Sequence, residues 1–336
     1  MSSSRTSVQK EASNDYKLWD KKIVTQKYNT LIKSTKIVTV MLSLLVMVLA
    51  RYFMVTSPVA FQKSVAIKFV KKSQLMLPEP KSYIDIQQIL HKIPYKEYGG
   101  MVYEIQPQQK YSQTIKNGYG NCSNLVFGLA YHLRQENHEY QIVHLLPPDS
   151  FLNGDGHTVI NTPYVINGKN SYGIVDVHEG GLPQDNDLLI DLNSLRRANF
   201  SNPSILSLNP NKDEQSPYYG EFLDNSIVGI IKSEEVDVYF DFIDKIYVPL
   251  GNKEIEKLIY DGLSIVFGYY PNIYVVQEDY AVLFSGNKAT KILAHVLLIS
   301  IRSLLLILVF LVTILLLYRF GYGLLELRLR QNNIDR

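Results

Sequence analysis

Gly118-Tyr-Gly-Asn-Cys122-Ser-Asn-Leu-Val-Phe-Gly-Leu-Ala-Tyr-His-Leu-Arg-Gln135 carries the only cysteine of a 336-residue chain, at the point where a glycine-rich turn passes into an apolar helix pattern. Leu125, Leu129 and Leu133 recur at i, i+4 and i+8, which predicts an amphipathic helix. A thiol at a helix N-terminus lies at the positive end of the helix dipole, which favours the thiolate. Cys122 is therefore a candidate nucleophile.

The composition excludes several classes of protein. The net charge is +2, and no basic stripe interleaved with aromatic residues runs along the chain, so no nucleic acid partner is expected. A single cysteine rules out an intrachain disulfide and a multi-cysteine zinc site. No nucleotide-binding glycine signature follows a predicted strand, so we expect no cofactor.

Two long apolar runs stand out in the sequence. Residues 37–50 contain no charge and no proline, and the apolar character resumes after Arg51. Residues 292–318 are interrupted only by His295 and Arg302. A helix of about 20 apolar residues crosses a bilayer core, so both runs predict transmembrane helices, with core helices of a soluble domain as the alternative.

Basic residues flank both runs on the terminal sides, with lysines throughout residues 17–36 and arginines after residue 318. The positive-inside tendency predicts an integral protein of the plasma or inner membrane, with both termini cytoplasmic and the intervening domain outside. Residues 63–77 are basic and apolar, which predicts that they lie on the membrane surface. The predicted division is a basic tail (1–36), a first span (37–57), a membrane-proximal segment (58–110), an extracytoplasmic domain (111–285), a second span (292–318) and a cytoplasmic tail (319–336).

The hydrophobic period changes from helix to strand after the cysteine helix. Residues 140–146 and 156–166 are predicted strands, and Asn167-Gly168 predicts a tight hairpin that returns through residues 171–177. With the turn centred there, His157 pairs with residue 178, and Asp176 is its diagonal neighbour on the same face. The remaining predictions are helices at 83–93 and 254–260, strands at 226–231, 236–242 and 273–276, and a loop with short helices over 185–220.

These three residues have the types that thiol catalysis needs. A cysteine nucleophile requires a base to take or hold its proton and a group that orients the base. Cys122, His157 and Asp176 can fill these roles in that order along the chain. The backbone amide of Cys122 is one expected oxyanion donor, and Tyr119 or Asn121 is the candidate for the second. Each of the three alone would be read as a structural residue.

Tyr119-Gly-Asn-Cys122, the helix, Gly156-His157-Thr-Val and Gly173-Ile-Val-Asp176 together resemble the transglutaminase-like core of the papain-like superfamily. The resemblance covers about residues 110–182. It implies an α+β fold in which the helix bearing the cysteine packs on an antiparallel sheet bearing the histidine and the aspartate. It also implies that Cys122 is the nucleophile, His157 the base and Asp176 the orienting acid.

Position and chemistry together predict a membrane-anchored cysteine hydrolase or acyltransferase that acts on a peptide, protein or glycan of the cell envelope. Peptidase-like or amidase-like hydrolysis is favoured over crosslinking. The alternative is a non-catalytic binding or scaffold component of a membrane or envelope-polysaccharide assembly, with partners in a membrane complex. A mixed zinc site of Asp176 and His178 with His157 and Cys122 is a weaker alternative, since alternate strand residues share a face.

Overall fold

The computed structural model describes residues 3–55, 58–71, 75, 80, 82–96, 102–147, 156–195, 200–212, 223, 226–279, 283 and 288–334. The protein is α+β, with a mixed sheet and two long apolar helices. It divides into two compact units, one formed by residues 53–295 and the other by residues 1–52 with 296–336.

The helices and strands follow one another in this order. The first half contains α1 (Ser3–Val55), α2 (Pro58–Ala66), β1 (Ile67–Val70), β2 (Ile84–Asp85), α3 (Ile86–His91), α4 (Pro107–Tyr111), a π-helical turn (Ser112–Lys116), α5 (Cys122–Gln135) and β3 (Gln141–Leu146). The second half contains β4 (His157–Ile166), β5 (Lys169–Val175), β6 (Gly181–Asp185), β7 (Leu188–Leu189), α6 (Leu192–Leu195), β8 (Pro203–Ser207), β9 (Ile227–Lys232), α7 (Ser233–Ile246), α8 (Lys253–Phe267), β10 (Ile273–Val276), a 3₁₀ turn (Gln277–Asp279) and α9 (Lys288–Ile334).

The two apolar runs predicted from the sequence lie in the long helices α1 and α9. Within them, Lys22–Leu49 and Lys288–Gly321 are long and apolar enough to cross a membrane. Both helices are longer than the predicted spans, and α1 includes most of the polar tail that precedes the first apolar run. Large apolar side chains such as Leu44 and Phe310 are exposed along them, as a helix that faces lipid requires.

The central sheet has the strand order β1-β10-β9-β3-β4-β2, and β5 also pairs with β4. The pairs β1–β10 and β2–β4 are parallel, and the other pairs are antiparallel. The apolar stripe of α5 lies in one buried cluster with residues of β4 and β5, including Leu129, Ile160 and Val175. This packing places the N-terminus of α5 against the antiparallel part of the sheet.

The predicted hairpin between β4 and β5 is confirmed. Ile166 pairs with Lys169 and Ile160 with Val175, which is the register that the sequence predicts. Asn167 has φ of 50° and Gly168 φ of 72°, as a two-residue type I′ turn requires. The part of β5 that pairs with β4 ends at Val175, one residue before Asp176.

The prediction of a strand at 236–242 is wrong, because these residues belong to α7. Valine and phenylalanine alternate there with acidic residues, and a two-residue period of this kind is also typical of a half-buried strand. The buried positions are Val236, Tyr239, Phe240 and Ile243, and this is the spacing of one helix face. The predicted helix at 254–260 is confirmed as part of the longer α8.

Two other predictions from the sequence are corrected by pairing between distant residues. Residues 67–70, predicted to lie on the membrane surface, form β1 and pair in parallel with β10. The predicted loop at 185–220 contributes β7 and β8 to a second sheet with β6. A local pattern cannot show the β1–β10 and β6–β8 pairings, because their partners lie far apart in the sequence, whereas β6 and β7 form a short hairpin through Asn186 and Asp187.

Part of the segment predicted as membrane-proximal is integral to the compact unit. Its described residues contribute α2, β1, β2, α3 and α4 to the unit formed by residues 53–295. The predicted helix at 83–93 begins only at Ile86, because the two preceding residues form β2 and pair with β4. The described part of residues 58–110 therefore helps to build the sheet.

Leu129→Ala tests the packing of α5 on the sheet. Leu129 is fully buried, so the truncation is expected to lower the free energy of unfolding by about 2–5 kcal/mol. Leu188→Ala is the control, because Leu188 is 75% exposed and its truncation is expected to cost less than about 0.5 kcal/mol. Denaturant unfolding of the detergent-solubilised protein measures both, and equal effects would contradict the packing.

Candidate active site

Cys122 is the first residue of α5, as the sequence predicts, and its position is set by a capping box. The side chain of Asn121 accepts a hydrogen bond from the backbone amide of Asn124 at 2.9 Å, and the Asn124 side chain accepts one from the amide of Asn121 at 3.4 Å. The amides of Cys122 and Ser123 lie in the first turn and are not used by this cap. The thiol is half-buried.

The glycine-rich turn before Cys122 is held against two other segments. Gly118 has φ of +73°, and a Cβ there would lie 2.5 Å from the backbone nitrogen of Tyr95. The Asn124 side chain both accepts from and donates to the backbone of Val102, each at 3.0 Å. Position 118 therefore needs glycine. The hydrogen bonds between Asn124 and Val102 fix the start of α5.

His157 and Asp176 form a buried pair. The Nε2 atom of His157 lies 2.5 Å from Oδ2 of Asp176, and the two residues are 2% and 0% exposed. The other carboxylate oxygen of Asp176 accepts the backbone amide of Glu179 at 3.0 Å. Asp176 also exchanges two backbone hydrogen bonds with Gly181, so both its main chain and its side chain are fixed.

The thiol of Cys122 lies close enough to the imidazole of His157 to contribute to raising the pKa of that ring. Because Nε2 contacts Asp176, Nδ1 is the ring nitrogen left to face the thiol. The structure thus brings Cys122, His157 and Asp176 together in one chain of contacts. The order is thiol, imidazole and carboxylate, as in a nucleophile–base–acid triad.

The electrostatics of the pair favour a charged imidazole. Burial lowers the pKa of His157, but the charge and hydrogen bond of Asp176 and the contact with Cys122 outweigh it and raise the pKa to about 10. Burial raises the pKa of Asp176, but the imidazolium and the Glu179 amide outweigh it and lower the pKa below its ordinary value. At neutral pH the pair is therefore imidazolium and carboxylate.

Two residues that the sequence analysis missed support the aspartate. Glu179 is 5% exposed, and its carboxylate lies 2.9 Å from Nδ1 of His178. The Tyr95 hydroxyl donates to the backbone carbonyl of Val177. Burial, with the nearby Asp176 and Glu179 carboxylates, raises the pKa of Tyr95, so the phenol stays protonated and able to donate. Tyr95 lies 82 residues from its acceptor, so no local signal marks it.

The two candidates for a second oxyanion donor have different surroundings. The ring of Tyr119 lies 5.1 Å from the ammonium of Lys96. Asn121 uses its side-chain oxygen in the helix cap, so only its NH₂ group is left to donate. Because Asn121 directly precedes Cys122, we favour it over Tyr119 for that role.

Among the described residues, no group of three His, Cys, Asp or Glu side chains is arranged to hold a metal ion. The ring of His178, a ligand in the zinc alternative, is edge-on to that of His157 at 6.1 Å between centroids. Two aspartates that follow β5 accept hydrogen bonds from backbone amides. Asp185 accepts from the amides of Ser201 and Asn202, and Asp191 accepts from the amide of Ser194.

Comparisons of the chain with protein-family models, with curated proteins and with solved structures return no match. The functional proposal therefore rests on the chain's own residues and their geometry.

His157→Gln tests the ion pair through pH. The raised pKa of His157 means that the stabilisation is complete below its ordinary value of 6.5 and is lost as pH rises through about 10. The lowered pKa of Asp176 means that its contribution is complete above its ordinary value of 3.8 and is lost at lower pH. Both contributions are complete between pH 3.8 and pH 6.5. The difference in Tm between the wild type and the variant is therefore expected to be greatest in this range.

Thermal unfolding from about pH 5 to pH 10 measures this difference. His91→Gln, on the exposed surface of α3, is the matched control. A Tm difference for His157→Gln that stays constant across this range would contradict the ion pair.

Proposed function

We propose that this protein is a membrane-anchored, extracytoplasmic cysteine hydrolase or acyltransferase with a transglutaminase-like core of the papain-like type. The observation that carries the proposal is the buried contact of His157 Nε2 with Asp176, with the Cys122 thiol near enough to the same ring to help raise its pKa. The packing of α5 on the antiparallel strands β3, β4 and β5 supports it.

In the first chemical step, the thiolate of Cys122 attacks the carbonyl carbon of an amide or ester. A C–S bond forms, and the carbonyl oxygen becomes an oxyanion that the first-turn amides of α5 stabilise. When the oxyanion collapses, the C–N or C–O bond breaks and the imidazolium of His157 gives its proton to the leaving amine or alcohol. A thioester and a neutral imidazole remain.

The second step regenerates the site. His157 takes a proton from a water or amine as that molecule attacks the thioester, and the C–S bond breaks. Water yields a carboxylic acid and an amine yields a new amide, with the thiolate and imidazolium restored in both cases. Asp176 keeps the ring oriented and stabilises its positive charge throughout. Hydrolysis needs only water, so we favour it over crosslinking.

The two apolar helices support a substrate at the cell envelope. Lysines before the first span and arginines after the second favour cytoplasmic termini, which leave the domain outside. A domain tethered at both ends meets substrates within a short distance of the bilayer. Amides of envelope peptides or proteins fit this location and the proposed chemistry.

Alkylation of Cys122 tests the enzyme proposal without knowledge of the substrate. Iodoacetamide at neutral pH is expected to modify Cys122 about tenfold faster than free cysteine, because a free thiol is only a few per cent ionised there. His157→Ala is expected to remove this advantage. Mass spectrometry of the labelled protein over time measures the rate.

His132→Ala is the matched control for this experiment. His132 lies on the last turn of the same helix, at the opposite end from Cys122, so its removal is expected to leave the rate unchanged. Slow labelling that does not depend on His157 would contradict the enzyme and favour the non-catalytic scaffold.

Leu188→Cys in a Cys122→Ser background tests the orientation. Leu188 is 75% exposed, so a thiol there is accessible to reagents. A membrane-impermeant maleimide is expected to label it in intact cells, while Asn332→Cys in the same background is expected to react only after lysis. The reverse pattern would place the domain in the cytoplasm.

A further inference from the structure

Helix α8 buries several polar residues beside Tyr260 and Ile265 while it leaves other apolar residues exposed. Glu256, Asp261 and Ser264 are buried, with exposures of 0%, 2% and 0%. Ile255 and Leu258, by contrast, are 51% and 46% exposed. A surface helix of a soluble domain normally turns its apolar face to the core and its polar face to water.

The buried polar groups of α8 are all paired. Glu256 accepts the amides of Leu250 and Gly251 and the hydroxyl of Tyr247, at 2.8, 3.1 and 2.9 Å. Asp261 accepts the hydroxyl of Tyr239 at 2.8 Å. These bonds fix the rotation of the helix about its axis, because rotating the apolar side inward would leave the carboxylates unpaired.

The exposed side of α8 forms one apolar surface. Ile255, Leu258, Ile259 and Leu263 follow the spacing of one helix face, with exposures between 36% and 51%. The loop that leads into the helix extends this surface with Val248 and Leu250, which are 60% and 51% exposed, and Phe267 ends it at 60%. Contiguous apolar surface of this kind marks an interaction site.

The position of α8 in the chain points to what covers this surface. Gln62 of α2 donates to Oδ2 of Asp261 at 3.1 Å, so α8 is joined to α2. Helix α2 begins three residues after the end of α1, the helix that carries the first candidate span. Helix α8 is therefore attached to the first element of the domain that leaves the bilayer.

We propose that α8 and the Val248–Leu250 loop rest on the surface of the bilayer that the terminal helices cross. An aliphatic and phenylalanine face on a helix that also carries lysines, here Lys253 and Lys257, which are ion-paired with Glu256 and Asp261, is typical of helices that lie in the membrane interface. The tether keeps the bilayer within reach at all times, so the contact needs no recruitment of a partner. The inference rests on the membrane location in the proposed function.

The experiment uses the full chain with Cys122→Ser, in nanodiscs of phosphatidylcholine and phosphatidylglycerol that hold one copy each. Ile259→Cys carries an environment-sensitive nitrobenzoxadiazole label, and Leu188→Cys is the matched exposed apolar control. The label at position 259 is expected to shift its emission to the blue and to be quenched by lipids with a spin-labelled chain. The label at position 188 is expected to show neither change.

A label at position 259 that behaves like the one at 188 would overturn the proposal and leave a protein partner as the occupant. A blue shift that appears only in discs with two copies would overturn it in favour of a second copy. Leu258→Cys, 46% exposed, repeats the measurement if Ile259→Cys does not fold.

Extraction at alkaline pH separates this inference from the proposed location. Release of the chain from native membranes would contradict the location itself. Retention of the chain with a solvent-exposed label at position 259 would contradict only the role of α8. Neither result depends on the reactivity of Cys122, which is measured separately.

Discussion

The buried contact between His157 and Asp176 is the constraint on which the proposed site depends. It requires the β4–β5 register to be correct to one residue, since a slip of one residue would move the aspartate to the other face of the sheet. The bridge to Gly181 and the amide of Glu179 then hold the carboxylate in a single orientation. If His157 is the base, its ring is already oriented before the reaction and no further ordering is needed in the reaction step.

Cys122, the proposed nucleophile, is held by a separate set of contacts. The capping box and the clamp on Val102 fix the start of α5, whereas the hairpin fixes the imidazole. The distance between thiol and imidazole is therefore set by how α5 packs on the sheet. Leu125 and Leu129 in the common core provide that packing, so the apolar stripe of the helix is as necessary to the site as the polar residues.

In the part of the chain that the structure describes, buried carboxylates occur in two places with different consequences. Asp176 is paired with a titratable imidazole, and the result is a charged pair beside a thiol. Glu256 and Asp261 are paired with backbone amides, tyrosine hydroxyls and lysines, and the result is a helix whose apolar side faces outward. Some of the chain's 24 tyrosines have this role, since Tyr239 and Tyr247 supply donors that reach buried carboxylates.

Local sequence patterns were sufficient for the elements that hold the candidate triad. The start of α5 follows from the glycine turn and its leucine stripe, and the hairpin register follows from Asn167-Gly168, because both depend on neighbouring residues. The two long apolar helices follow from their length and composition. Pairing between distant segments could not be predicted: β1 with β10, the clamp on Val102 and the Tyr95 contact join residues far apart in the chain. The burial of Asp261 in α8, with Ile255 and Leu258 left exposed, was also decided only by tertiary structure, because the hydrogen-bond partners of that carboxylate lie on other elements.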